Sequence, residues 1–258
     1  MSKSLIYYHR SYRKITGSRS VIFLQFLIAT IPLQFLILIY HPEMTNWMST
    51  LAKNALALSF APGTLEIIRQ KFLLSSNNIF LLIGPEAYPS TLYALISALV
   101  MVAFIAFLQI VRIDKNIAIF ASFLAVIHLV SSVFFTVVPY MFPYSFNDFA
   151  ELYVKTIVTI WLFIPCIMSM AILPLPATYI PKLFIIILTL VYSFIFATVR
   201  YAIFLYVLSK FSFIYMAILF FAFGPLVDFI YIVGIYSVYT TYLAQKLKED
   251  EVVWKWLC

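Results

Sequence analysis

Charge is what this sequence has least of. Of 258 residues only 10% are Asp, Glu, Lys or Arg, against roughly 25% in an average soluble domain, and 64% are hydrophobic. That balance excludes a water-soluble fold. Glycine is nearly as scarce, with five in the whole chain, and none opens a Gly-rich phosphate loop or a dinucleotide fingerprint. Two cysteines, Cys166 and Cys258, supply no disulfide framework. With them, three scattered histidines give no metal-ligand spacing, so neither a metal nor a cofactor is expected. Bases outnumber acids by seventeen to ten, yet they form no patch beyond a short N-terminal arm, and nucleic-acid binding is not expected.

What the sequence has in quantity is long apolar runs. Six reach or exceed the ~20 residues needed to cross a ~30 Å hydrocarbon core, at about 21–40, 90–111, 117–138, 152–173, 183–208 and 213–243. The last is too long for one perpendicular span and is interrupted at Gly224-Pro225. The expected fold is therefore an all-α polytopic membrane protein with about six transmembrane helices. They form a single transmembrane helical domain over 21–243, with the lipid bilayer as its solvent.

Residues 1–20 carry Lys3, Arg10, Arg13, Lys14 and Arg19 with no acid, a basic cytoplasmic arm that also suits anionic lipid headgroups. Residues 244–258 form a charged tail ending at Cys258. With both termini cytoplasmic, eleven of the seventeen Lys and Arg residues face inward, five face outward and Arg200 lies within a span. This is the bias of a positive-inside topology, and it places the chain in a cell membrane, expected to be the inner membrane of a bacterium or archaeon.

Between the first and second spans, 41–89 is an outer-face segment of a different character. Trp47–Phe60 and Leu65–Leu74 read as short interfacial or re-entrant helices, divided by Ala61-Pro62-Gly63, with Thr64 placed to cap the second. The segment is a natural position for a lid and reads equally as a passive outer loop. A second outer loop is expected over 139–151, and Pro165 should kink the fourth span.

Few polar residues stand inside the spans. Arg200 is the most costly of them, at roughly 2.5–3.5 kcal/mol on insertion scales, and a charge at that depth requires a partner or a wet cavity. Cys166 stands in the span before it, Asp228 in the span after it and His128 in the third. Short turns set the fourth, fifth and sixth spans side by side. A guanidinium beside Cys166 would lower the thiol's pKa and offer donors to an oxyanion. A guanidinium beside Asp228 would instead neutralise two buried charges and pin two helices, in a subunit that packs against other membrane subunits.

A cysteine in one span and an arginine 34 residues later inside the next resemble the exosortase/archaeosortase family. The resemblance covers mainly Leu152 to Leu243, and its strongest piece is Phe196-Ala-Thr-Val-Arg200-Tyr-Ala-Ile-Phe-Leu205. It implies a membrane-embedded cysteine transpeptidase or peptidase acting on the C-terminal sorting signal of an exported protein. Carried over, Cys166 would be the nucleophile and Arg200 its support. Where the family has Ser or Thr then Gly after the cysteine, this chain has Ile167-Met168. Ala197 replaces an expected Asn, and Asp228 stands in place of a third basic residue. These departures point equally to a non-catalytic relative that serves as a subunit of a larger membrane complex. The candidate site residues are thus Cys166, Arg200, Asp228 and His128.

Overall fold

The computed structural model describes residues 19–72, 78–111, 114–175 and 177–246. Most of the basic arm, Arg112, the tail beyond Lys246 and Cys258 lie outside the described residues. Among the described residues, seven α-helices and one β-hairpin follow in the order α1 (Arg19–Leu56), β1 (Glu66–Lys71), β2 (Asn78–Ile83), α2 (Thr91–Ile110), α3 (Lys115–Val137), α4 (Phe146–Ile172), α5 (Tyr179–Lys210), α6 (Met216–Phe221) and α7 (Pro225–Lys246). Among the described residues, six helical stretches are long and apolar enough to cross a membrane, with α6 and α7 sharing the last. The chain is an integral, multi-pass membrane protein, as its composition requires.

Polar side chains set several helix starts. Ser90 accepts from the Tyr93 amide at 3.3 Å at the head of α2, and Asp114 accepts from the Asn116 amide at 2.9 Å at the head of α3. Ser145 and Asp148 bond reciprocally across the first turn of α4, at 3.2 and 2.8 Å. Glu86 adds a third acceptor there, taking the Phe146 amide at 3.0 Å. Helix α4 consequently begins at Phe146, and Asn147, Asp148 and Glu151 stand in its first turns instead of an outer loop.

Two expectations for 41–89 are corrected. The first helix does not stop near Tyr40; it runs unbroken to Leu56 and absorbs most of Trp47–Phe60. Pro42 lacks the amide that would bond the Leu38 carbonyl four residues back. His41 repairs this, its Nδ1 donating to that same Leu38 oxygen at 2.9 Å. The second correction is Leu65–Leu74, which is extended chain and not helix over Glu66–Lys71. Ile67 and Ile68 are β-branched and pair across to Leu82 and Leu81 of β2, in an antiparallel register running from Glu66↔Ile83 to Lys71↔Asn78. Thr64 closes a turn by donating to the Ala61 carbonyl at 2.7 Å, with Gly63 at φ 86° beside it, and caps no helix.

The free edge of β2 is served by side chains. Ser49 donates to the Phe80 carbonyl at 2.9 Å, Thr45 accepts from the Phe80 amide at 3.2 Å, and the Tyr201 hydroxyl accepts from the Leu82 amide at 3.0 Å. An unpaired strand edge inside an apolar protein would leave each such group at a cost of kilocalories. Tyr201→Phe is therefore expected to destabilise the protein by about 1–3 kcal/mol, the penalty for a buried amide left without an acceptor. Thermal unfolding in detergent measures it; an unchanged midpoint would mean that the edge is served in some other way.

The chain falls into two compact units. One comprises 38–160 and 193–229, and holds the hairpin, α2, α3, α6 and the greater part of the buried polar network. The other comprises the described parts of 1–37, 161–192 and 230–258. In this second unit Gln34 donates to the Leu162 carbonyl at 3.1 Å, and Lys182 donates to the Leu173 carbonyl at 2.7 Å, closing the C-terminus of α4. The rings of Tyr192 and Tyr231 meet at 5.1 Å.

Candidate functional site

The predicted break in the last span is present, and it explains where Arg200 goes. Helix α6 ends at Phe221 and α7 starts at Pro225, a residue suited to a first helical turn because it has no amide to satisfy. Between them the carbonyls of Phe223 and Gly224 fall outside a regular helix ladder. Arg200 Nη1 donates to both, at 3.2 and 3.0 Å. Its Nη2 donates to Asp228 Oδ2 at 2.7 Å, one turn into α7, and its Nε donates to the Tyr153 hydroxyl at 3.0 Å. Four hydrogen bonds thus draw on the five N–H donors of the guanidinium.

The surroundings are dry and aromatic. Arg200 is 5% exposed and Asp228 2%. The rings of Tyr153, Phe196 and Phe204 lie 5.5, 5.4 and 6.0 Å from the guanidinium carbon, within cation–π range. Tyr153 passes its own proton to the Ala197 carbonyl at 2.9 Å and stacks on Tyr201 at 5.1 Å and 13°. A continuous chain of contacts then runs from the β2 edge through Tyr201 and Tyr153 to Arg200, and from Arg200 to the helix break. Each charge is compensated where it lies, and the arrangement behaves as a clamp.

Of the four candidate residues, Arg200 and Asp228 come together and His128 stands elsewhere in the same unit. His128 is 5% exposed on α3, within 2.9 Å of the Ser97 hydroxyl through Nε2. Cys166 belongs to the other unit, as a free, half-buried thiol. In the sequence of α4 it follows Tyr153 by thirteen residues. The groups holding Arg200 come from Tyr153, Phe223, Gly224 and Asp228, and Cys166 is not among them.

No protein family, curated protein or solved structure matches the chain. The site must be read from its own chemistry.

Tyr153 is the member that the sequence reading missed. It lies in the first third of α4, after Phe146 and Phe149, and nothing local distinguishes it from an interfacial anchor. Among the described residues no group of three or more His, Cys, Asp or Glu side chains could hold a metal ion. Next to the cluster, Phe149 and Phe220 also line a groove of about 590 Å³, whose charged lining is Asp148 and the Glu151–Lys155 ion pair. That lining is paired within the protein, through Ser145 for Asp148 and within the pair for the other two.

Proposed function

We propose that the chain is a non-catalytic membrane subunit of a larger assembly, in which Arg200 and Asp228 are a structural pair. One observation carries the reading: the guanidinium spends four hydrogen bonds on the protein itself, two of them on carbonyls of the helix break. A catalytic arginine needs donors aimed at the place where substrate charge develops. Here the position across from Arg200 on α4 is a phenol, Tyr153, buried and bonded at both its proton and its lone pair. The distribution of cations supports a topology with both termini in the cytoplasm, and the cell membrane of a bacterium or archaeon suits such a chain.

A second reading, an exosortase-like transpeptidase with Cys166 as nucleophile and an exported protein as substrate, draws on one feature: Cys166 is a free thiol that is only half-buried within a span. Cys166→Ala separates the two. A structural subunit should keep its stability, its assembly and the processing of a co-expressed exported protein unchanged in this variant, because a small apolar residue replaces a small apolar thiol. Loss of processing, with the protein still folded, would overturn the structural reading and restore the enzyme.

A further inference from the structure

The groove between α2, α3 and α6 carries chemistry that the Arg200 clamp does not use. It measures about 540 Å³ and is walled by Ile96, Val100, Met101 and Phe104 of α2 and by Leu124 of α3. From Tyr93 to Phe104 it follows α2 for about 16 Å. Ile96, Leu99 and Val100 are each more than half exposed on this helix, and in a multi-pass membrane protein that exposure faces lipid.

A lipid-facing wall should be apolar throughout, since a polar group in hydrocarbon costs several kilocalories unless bonded. This one is not. Ser97 and His128 are bonded at 2.9 Å, and Ser132 reaches Ser97 at 3.2 Å and the His128 carbonyl at 2.8 Å. Tyr215 stacks on the imidazole at 5.0 Å, and its hydroxyl meets that of Tyr93 at 2.7 Å.

The proton count leaves a gap. In the Tyr93–Tyr215 contact one hydroxyl donates to the other, and the second hydroxyl's proton has no acceptor among the described residues. His128 lines the groove and is nine-tenths buried, yet its Nδ1 has no hydrogen-bond partner among the described residues. The polar end therefore offers an unspent donor to an acceptor oxygen. No Asp, Glu, Lys or Arg stands among the groove's lining residues, so a charged headgroup would find no counter-ion there.

We infer that this groove binds a neutral, long-chain ester lipid of the diacylglycerol type. One acyl chain lies along α2 from Ile96 to Phe104, and an ester carbonyl accepts the spare tyrosine proton at the Tyr93–Tyr215 end. The function is recognition of an uncharged lipid within the bilayer, with the Ser97–His128–Ser132 set fixing the wall behind it.

The test places the full chain in phosphatidylcholine nanodiscs with a diacylglycerol carrying a photoactivatable group in one acyl chain. Matched probes built on phosphatidylcholine and phosphatidic acid serve as comparisons, and adducts are mapped by peptide mass spectrometry. Diacylglycerol adducts should concentrate on α2 and α3 and fall roughly three- to ten-fold in the double variant Tyr93→Phe/Tyr215→Phe, the loss of about one hydrogen bond, since either hydroxyl left alone could still donate. Ala121→Phe, which fills the lane from α3, should abolish them. Gel filtration confirms that the variants remain folded; should Ala121→Phe fail there, the double Phe variant decides, since both rings stay in place. Equal labelling by the charged probes, adducts spread evenly over α5 and α7, or undiminished adducts in the double Phe variant would each overturn the inference.

Discussion

Arg200→Leu is expected to be among the most damaging single replacements in this protein, at about 3–5 kcal/mol, the range for removing one partner of a buried ion pair. The loss has three parts. Asp228, 2% exposed, keeps its charge or takes up a proton with its nearest cation gone. The Phe223 carbonyl loses its Nη1 donor, and Tyr153 loses the N–H that fixes its lone pair. Arg200→Lys should recover only part, because an ammonium is a point charge on a flexible stem and cannot reach Tyr153, Asp228 and the break together. The double variant Arg200→Leu/Asp228→Leu should be more stable than Arg200→Leu alone, since the buried carboxylate goes with its cation, yet less stable than the parent, since the Phe223 carbonyl is still unserved. Thermal unfolding of detergent-solubilised protein, followed by size-exclusion chromatography, ranks the four proteins. If Arg200→Leu melts with the parent, the clamp is not what holds this region, and an arginine free to serve a substrate returns to consideration.

The sequence made the helical spans legible because length and apolarity alone decide what crosses a membrane. The starts of α2 and α3 lie within a residue or two of the apolar runs, where Ser90 and Asp114 cap them. Gly224-Pro225 announced its break for a local reason as well. Other features escaped because their partners are remote in sequence. Nothing in His41-Pro42 alone says that the histidine ring will mend the bond the proline removes, so the run looked finished at Tyr40. The hairpin is specified in part by Thr45, Ser49 and Tyr201, the last of them 119 residues from the strand residue it serves. Tyr153 escaped for a similar reason. The fourth apolar run begins near Leu152 in the sequence, whereas the Ser145–Asp148 cap starts α4 at Phe146. Tyr153 therefore stands about two turns inside the helix and not at its mouth.

Gly224→Ala should be comparably severe, and it tests the other half of the clamp. A Cβ built on Gly224 would stand 2.1 Å from the Phe220 carbonyl oxygen and 3.1 Å from the Phe220 carbonyl carbon. Both are backbone atoms of α6, so no side-chain rotation relieves the overlap. The backbone must move, and Pro225 limits how it can, because the residue before a proline is itself restricted. Movement there carries the Gly224 carbonyl away from Arg200 Nη1 and from the Val227 amide, which bonds it at 3.1 Å. The substitution thus couples steric overlap to loss of the arginine's anchor, and a cost of about 4 kcal/mol or more is expected, in the range that single mutations reach only through such defined faults. Gly234→Ala is the matched control: it lies in the same last apolar span, within α7, a Cβ there meets nothing within 4 Å, and alanine favours a helix interior by about 1 kcal/mol over glycine. Melting of the two variants side by side should move the midpoint down for Gly224→Ala and leave it level or raised for Gly234→Ala. Equal behaviour would mean that the break at 222–224 is not a fixed element. Because Arg200→Leu leaves the glycine backbone intact and Gly224→Ala leaves the ion pair intact, combining them should cost less than the sum of the two, as expected when both act through the same carbonyls.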